Sequence, residues 1–80
     1  MPVKLRRSLS ARNRLKGTVT KIKKGDVVAG VEVKLAGSQD IIYSVITMEA
    51  INELKLRVGD KVAAVVKATE VMINKDSEED

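Results

Sequence analysis

The sequence predicts an all-β fold, a small five-stranded barrel with one short helix between strands three and four. Its 80 residues allow one small domain. Its apolar residues are mostly Val, Ile, Ala and Leu, and over several short segments they alternate with polar residues, which is the period of a half-buried strand. Turn residues separate these segments, and a single short segment has helical spacing instead.

The first two strands are expected to form a hairpin. Strand one is predicted from Leu15 to about Lys24 and strand two over 27–35, with Gly25 and Asp26 in the turn between them. Gly30, in the interior of strand two, predicts a bulge or a close approach of another backbone. One face of strand two is apolar and is expected to point into the core: Val27, Ala29, Val31, Val33 and Leu35.

The second half of the chain adds the helix and three more strands. Strand three is predicted over 41–46, and Thr47 is expected to cap a helix over about 48–54 whose apolar side is Met48, Ile51 and Leu54. Strands four and five are predicted over 61–67 and 70–74. A flat meander would leave long apolar edges, so this order predicts an OB-like, partly open barrel.

Charge divides the chain into three parts. The net charge is +4, and nine basic residues precede the first acidic residue, Asp26. We therefore expect a basic N-terminal arm over 1–9, the barrel domain over 10–74 and an acidic, disordered tail over 75–80.

Composition excludes several classes of protein. The chain has no Cys and no His, which excludes catalysis by a thiolate or an imidazole, and we expect no enzyme. It also lacks the disulfides and the Cys or His metal sites that stabilise many small domains, and we expect no direct cation ligands. Oligomerisation is then the common route to stability. No segment approaches the roughly 18 apolar residues of a membrane span, and the N-terminus lacks a signal peptide's apolar core. We expect a cytoplasmic protein without a membrane partner.

Nucleic acid is the alternative ligand that a basic barrel of this kind suggests. Proteins that bind single strands stack the bases on aromatic side chains, each worth roughly 1–3 kcal/mol. Tyr43 is the only aromatic residue of this chain, which argues against such a function, although a purely electrostatic contact would need no ring. The alternative therefore stays open and ranks second.

An oxyanion is the ligand that the polar residues favour. Ser10-Ala11-Arg12-Asn13 places a hydroxyl, a guanidinium, an amide and backbone N–H groups within four residues. Thr47 precedes a helix start, which offers N–H donors and partial positive charge, and Lys67-Ala68 adds an ammonium group. Three such segments suggest one anion site, but a helix cap, a strand junction and a solvated Arg would give the same pattern.

These segments also resemble a known family. Ser10 to Gly17, Leu54 to Val62 and Lys67-Ala68-Thr69-Glu70-Val71-Met72 are similar to the molbindins, the Mop family of small molybdate-binding proteins related to the TOBE domain. The likeness runs from about Ser10 to Ile73.

The resemblance implies an OB-like barrel that assembles as a homo-hexamer, a trimer of dimers, and binds molybdate or tungstate between subunits for molybdenum storage or homeostasis, without an organic cofactor. Carried over position by position, Ser10, Ala11, Arg12 and Asn13 would bind the oxyanion together with Lys67 and Ala68. Thr47 and Ala50 of a neighbouring subunit would add donors. Relatives often have a hydroxyl residue where this chain has Ala50, so here only the backbone N–H of that position is offered.

Overall fold

The computed structural model describes residues 11–76, with side chains from residue 13 onward. Four strands form one antiparallel sheet in the order β3-β2-β1-β4, and this sheet curls into a half-barrel. The all-β class and the single short helix are confirmed. The elements in chain order are β1 Ala11–Lys24, β2 Val28–Leu35, β3 Ile41–Thr47, α1 Met48–Leu54 and β4 Lys61–Lys67, followed by a 3₁₀ turn over Ala68–Glu70.

The long strand β1 joins the two halves of the sheet. Its first half, up to Thr18, pairs with β4, and its second half, from Gly17 onward, pairs with β2. The register shifts between Val19 and Lys21, so Thr20 forms a bulge. A bulge bends a strand and increases its twist, which curls the sheet.

The bulge and the close approach that we expected at Gly30 lie elsewhere. Gly30 pairs regularly with Lys23 and with Val45, and a Cβ built on it would meet nothing within 4 Å. The close approach is at Gly17, where a Cβ would lie 2.5 Å from the Lys34 carbonyl oxygen. Gly17 is one of two β1 residues that pair on both sides, so crowding, and not backbone conformation, requires glycine there.

The core lies on the concave side of the sheet under the helix. Its buried members come from three elements, and three of them are on the face of β2 that the alternation predicts. Ile51 is the buried residue of α1, whereas Leu54 is 65% exposed and does not complete the predicted apolar side. The buried core residues are Val19, Ala29, Val31, Val33 and Ile51.

The predicted fifth strand is absent from the described residues. The chain leaves β4 in the 3₁₀ turn and continues over 71–76 without regular structure. The apolar, β-branched sequence there is typical of a strand, but none of the four described strands pairs with it to share backbone hydrogen bonds. Met72 and Ile73 are consequently 90% and 88% exposed.

The predicted arm over 1–9 and the last four residues of the predicted tail lie outside the described residues. Between residues 11 and 76, no helix has the length and apolar character needed to cross a membrane.

Candidate functional site

One group of predicted site residues meets where β1 begins and β4 ends. We call it the corner cluster: Ala11, Arg12, Asn13, Lys67 and Ala68. The antiparallel pairing of β1 with β4 places Ala11 opposite Lys67, with a register shift between Ala11 and Asn13. The Asn13 side-chain amide donates a hydrogen bond of 3.3 Å to the Val66 carbonyl oxygen, which ties the two strand ends together. Ser10, the remaining predicted member, lies outside the described residues.

The corner cluster offers donors from side chains and backbone. Lys67 is exposed and is the N-cap of the 3₁₀ turn. A lysine side chain has no acceptor, and it makes no capping hydrogen bond to the N–H groups of this turn. Glu70 lies in the same first turn and brings an opposing negative charge. An anion bound here would therefore depend on cationic side chains to outweigh Glu70.

The second group is the start of α1, formed by Thr47, Met48, Glu49 and Ala50. The predicted cap is confirmed, because Thr47 Oγ1 accepts a hydrogen bond of 3.0 Å from the Ala50 N–H. The Met48 N–H donates to the Val27 carbonyl oxygen at 2.8 Å. Two of the backbone donors at this helix start are thus already bonded within the chain, including the Ala50 N–H that the sequence suggested for the anion. The Thr47 hydroxyl keeps its own proton to donate.

A single chain keeps these two groups apart. Thr47 pairs with Val28, next to the end of β1, whereas the corner cluster is at the beginning of β1. The 14 residues of β1 are separated by 13 rises of about 3.3 Å, so the two ends of this curled strand are about 43 Å apart when measured along the strand. β3 and β4 are also the two opposite edges of the sheet. Only two of the three predicted segments therefore converge within one molecule.

The sequence interpretation overlooked the carboxylates beside both groups. Glu49 is in the first turn of α1 and Glu70 is in the first turn of the 3₁₀ segment. Glu49 directly precedes Ala50, and Glu70 follows Ala68 by two residues, so closeness in the sequence would have identified both. Within residues 11–76, no three His, Cys, Asp or Glu residues are grouped so that they could hold a metal ion.

An open groove on the concave side has the wrong chemistry for an oxyanion. It has a volume of about 400 Å³ and lies on the open side of the half-barrel. Its walls are apolar, with Val31, Val33, Ile42, Leu56 and Val62 among its lining residues. This groove suits apolar side chains, not a charged ligand.

Comparison with known proteins adds a family model and a close relative. The model of the TOBE domain matches residues 9–73. Molybdenum-pterin-binding protein 3 of Clostridium pasteurianum is 46% identical to this chain over 66 residues, which make up 82% of this chain and 96% of that protein.

Solved structures show the same fold. MopII from Clostridium pasteurianum superposes with a TM-score of 0.77 at 45% identity, over 84% of this chain and 98% of that one. A molybdate-binding protein from Sporomusa ovata gives 0.76 at 40% identity, over 84% and 97% of the two chains.

A third similar structure contains bound molybdate. The cytoplasmic molybdate-binding protein ModG, with molybdate bound, gives a TM-score of 0.69 at 48% identity, over 75% of this chain and 42% of that one. The resemblance found in the sequence is thereby confirmed. The chain belongs to the TOBE domain family and, within it, to the small Mop-type proteins that it matches over nearly their whole length.

Proposed function

We propose that this protein binds molybdate at sites that two or more copies of the chain complete together. The observation that carries this proposal is that, within one chain, the corner cluster and the helix start lie at opposite ends of β1 and on opposite edges of the sheet. Both groups offer donors, yet neither surrounds a tetrahedral ion alone. A neighbouring copy that presents Thr47 to the corner cluster would bring together Ser10, Ala11, Arg12, Asn13, Lys67 and Ala68 of one chain with Thr47 and Ala50 of another. The relatives whose names include molybdate or molybdenum support the choice of ion.

The donor chemistry fits a fully deprotonated dianion. Molybdate carries no proton at neutral pH, so a site that only donates hydrogen bonds satisfies every oxygen. Hydrogen phosphate carries a proton that needs an acceptor, and leaving it unpaired costs roughly 1–3 kcal/mol. Tungstate has the same charge and shape as molybdate and is expected to bind as well. Sulfate has to be discriminated by the size of the pocket.

Assembly of several copies follows from what one chain leaves uncovered. Among residues 11–76 no strand pairs with the outer edge of β3 or of β4, and the segment over 71–73 is apolar and exposed. The apolar groove on the concave side is open to solvent. Exposed strand edges and apolar grooves of this kind are covered in stable proteins. We propose a homo-hexamer, a trimer of dimers, with the domain running over 10–74 between a basic arm and an acidic tail.

The role that suits such a binder is storage or homeostasis of molybdenum in the cytoplasm, without catalysis. The name of the Clostridium pasteurianum relative includes a pterin. Our proposal involves the oxyanion alone and no organic cofactor, so a pterin is a necessary second ligand in the test.

Calorimetric titration of anion-stripped protein tests the site. Molybdate and tungstate should bind tightly, with little heat from sulfate, phosphate or a pterin. Each charge-assisted hydrogen bond contributes roughly 1.5–3 kcal/mol, so Arg12→Ala and Lys67→Ala should each weaken molybdate binding by about 10- to 150-fold. Lys75→Ala removes an exposed lysine outside the corner cluster and should leave the affinity unchanged. Unchanged affinity in both cluster variants, with the fold intact, would disprove the assignment of residues.

The shared nature of the site has its own test. Sedimentation velocity combined with titration at decreasing protein concentration should show molybdate affinity falling as the oligomer dissociates. A monomer that binds molybdate as tightly as the oligomer would contradict a site between copies.

A further inference from the structure

The convex side of the sheet, which we call the outer face, is strongly basic. In β1, β2 and β4 the residues that point away from the core include six cations and a single carboxylate, that of Glu32. All six cations are exposed or half-buried. They are Arg14, Lys16, Lys21, Lys23, Lys34 and Lys61.

The bulge at Thr20 is what gathers the cations of β1 on one side. Before the bulge, the outward residues are even-numbered, as with Lys16, and the inward ones odd-numbered, as with Val19. Thr20 and Lys21 both point outward, and Ile22 then packs against the core. The basic residues of β1 therefore lie on one face of the sheet and form a row of positive charge. This row is about 30 Å long, the length of β1 from Arg14 to Lys23.

Two shallow grooves cross this face. One, of about 430 Å³, is lined by Arg14, Lys16, Thr18 and Lys61, and the Lys61 ammonium donates a hydrogen bond of 3.1 Å to Thr18 Oγ1. The small residues Gly17, Ala36 and Ala63 also line it. Charge without aromatic rings suits phosphate groups in this groove.

The second groove, of about 240 Å³, contains the single aromatic ring of the chain. Tyr43 is 74% exposed, and Lys21 and Lys23 lie across the groove from it. Glu32 also lines this groove and pairs with both Lys21 and Tyr43, so its side chain lies between them. Gly30, which pairs with Lys23 and Val45, has no side chain, and a Cβ there would touch nothing, so a flat ring has room at that end of the groove. This groove therefore combines a stacking surface with two ammonium groups and one carboxylate, which leaves a net positive charge.

We propose that the outer face binds single-stranded nucleic acid, with its phosphates along the cations of β1 and a base stacked on Tyr43. Spaced charges that follow a strand, together with an exposed ring, are the features of sheet surfaces that bind single strands. The presence of only one aromatic residue in the sequence argued against nucleic-acid binding. In the structure, however, the Tyr43 ring lies on the same face as the row of cations. The outer face shares no residue with the corner cluster or the helix start, so this function is independent of molybdate binding.

Fluorescence anisotropy with labelled oligonucleotides of twelve thymidines or twelve uridines, titrated with the full-length oligomer at several KCl concentrations, tests the proposal. If four to six phosphates are neutralised, the plot of log K against log salt should have a slope of about −3 to −4. Lys16→Gln combined with Lys61→Gln should bring that slope about 1.4 closer to zero, and Lys21→Gln combined with Lys23→Gln should do the same at the other groove. Tyr43→Ala should weaken binding by about 5- to 150-fold, while Tyr43→Phe keeps the stacking surface and the affinity.

Matched controls identify the surface. Lys55→Gln combined with Arg57→Gln removes two exposed cations that lie outside the outer face, and it should leave the slope unchanged. Arg6→Gln combined with Arg7→Gln tests the basic arm. Complete loss of binding in the arm variant, with both outer-face variants binding as tightly as the unmodified chain, would overturn the proposal. Equal competition by inorganic polyphosphate of matched charge, with no effect of Tyr43→Ala, would also overturn it and indicate an unspecific polyanion surface.

Discussion

Gly17→Ala is expected to be among the most destabilising single-methyl additions to this fold. Gly17 is buried in β1 at the position where the strand passes from β4 to β2. An added Cβ would lie 2.5 Å from the Lys34 carbonyl oxygen and 2.7 Å from Val33 Cγ1. The first of these atoms is backbone, and the second belongs to a β-branched side chain that is itself in the core. Neither can move without moving β2.

The magnitude follows from these distances. The ordinary range of contact begins at 3.4 Å, so β1 and β2 must separate locally by about 1 Å. That displacement strains the neighbouring hydrogen bond from the Ala36 N–H to the Lys16 carbonyl oxygen, now 2.9 Å long. Overpacking of a core costs about 1–3 kcal/mol, and replacing glycine recovers about 0.4–1 kcal/mol through the unfolded chain. Since the main clash is with backbone, we take the upper end of the overpacking range and expect a net loss of about 2 kcal/mol.

Thermal unfolding followed by circular dichroism measures this loss. For a domain of this size 1 kcal/mol corresponds to about 4–8 °C, so Tm should fall by about 8–16 °C at a fixed protein concentration without molybdate. Gly30→Ala is the matched control, because a Cβ there meets nothing within 4 Å. It should change Tm by only a few degrees. Equal Tm values for the two variants would refute the argument from crowding.

Two further predictions concern α1 and use urea denaturation of anion-free protein. Ile51→Ala should lower the free energy of unfolding by about 2–5 kcal/mol, because this side chain is 2% exposed in the core. Leu54→Ala, at a position 65% exposed, should lower it by less than about 1 kcal/mol. Equal losses in the two variants would mean that α1 is not held on the sheet by Ile51. Thr47→Ala should lower the free energy of unfolding by about 1 kcal/mol, because it removes the acceptor of the Ala50 N–H hydrogen bond. Thr47→Ser keeps a hydroxyl acceptor and should retain most of that stability. Failure of the serine to restore stability would show that the hydroxyl is not the cap.

Much of the fold was predictable because its signals are local. Alternation over β2 identified Ala29, Val31 and Val33 as core residues, and the side chain of Thr47 identified the helix start. The fifth strand was not predictable in the same way. A strand needs a hydrogen-bonding neighbour as well as a suitable sequence, and the composition of 70–74 carries no information about whether one is present. The bulge at Thr20 depends likewise on pairing with β2, which no single segment encodes.

The candidate site was predictable in composition but not in arrangement. The sequence identified residues that can donate hydrogen bonds, and pairing of β1 with β4 brings the corner cluster together. Nothing in the order of the residues showed that Thr47 would lie at the opposite end of β1. The Ala50 N–H was offered to an anion, yet in the chain it bonds to Thr47 Oγ1. Local chemistry identifies donors, but only the topology decides which of them can reach the same ligand.

The pairing of β1 with β4 also has a consequence for the order of folding. β1 with β2 and β2 with β3 are hairpins of neighbouring segments, whereas the bond from Asn13 to Val66 joins residues 53 positions apart. Closing so long a segment is entropically costly and tends to occur late. The corner cluster therefore forms only when the last long-range pairing is complete. During synthesis or refolding, a chain should acquire its core and its helix first and its affinity for an anion last, so an incompletely folded molecule should not sequester the ligand.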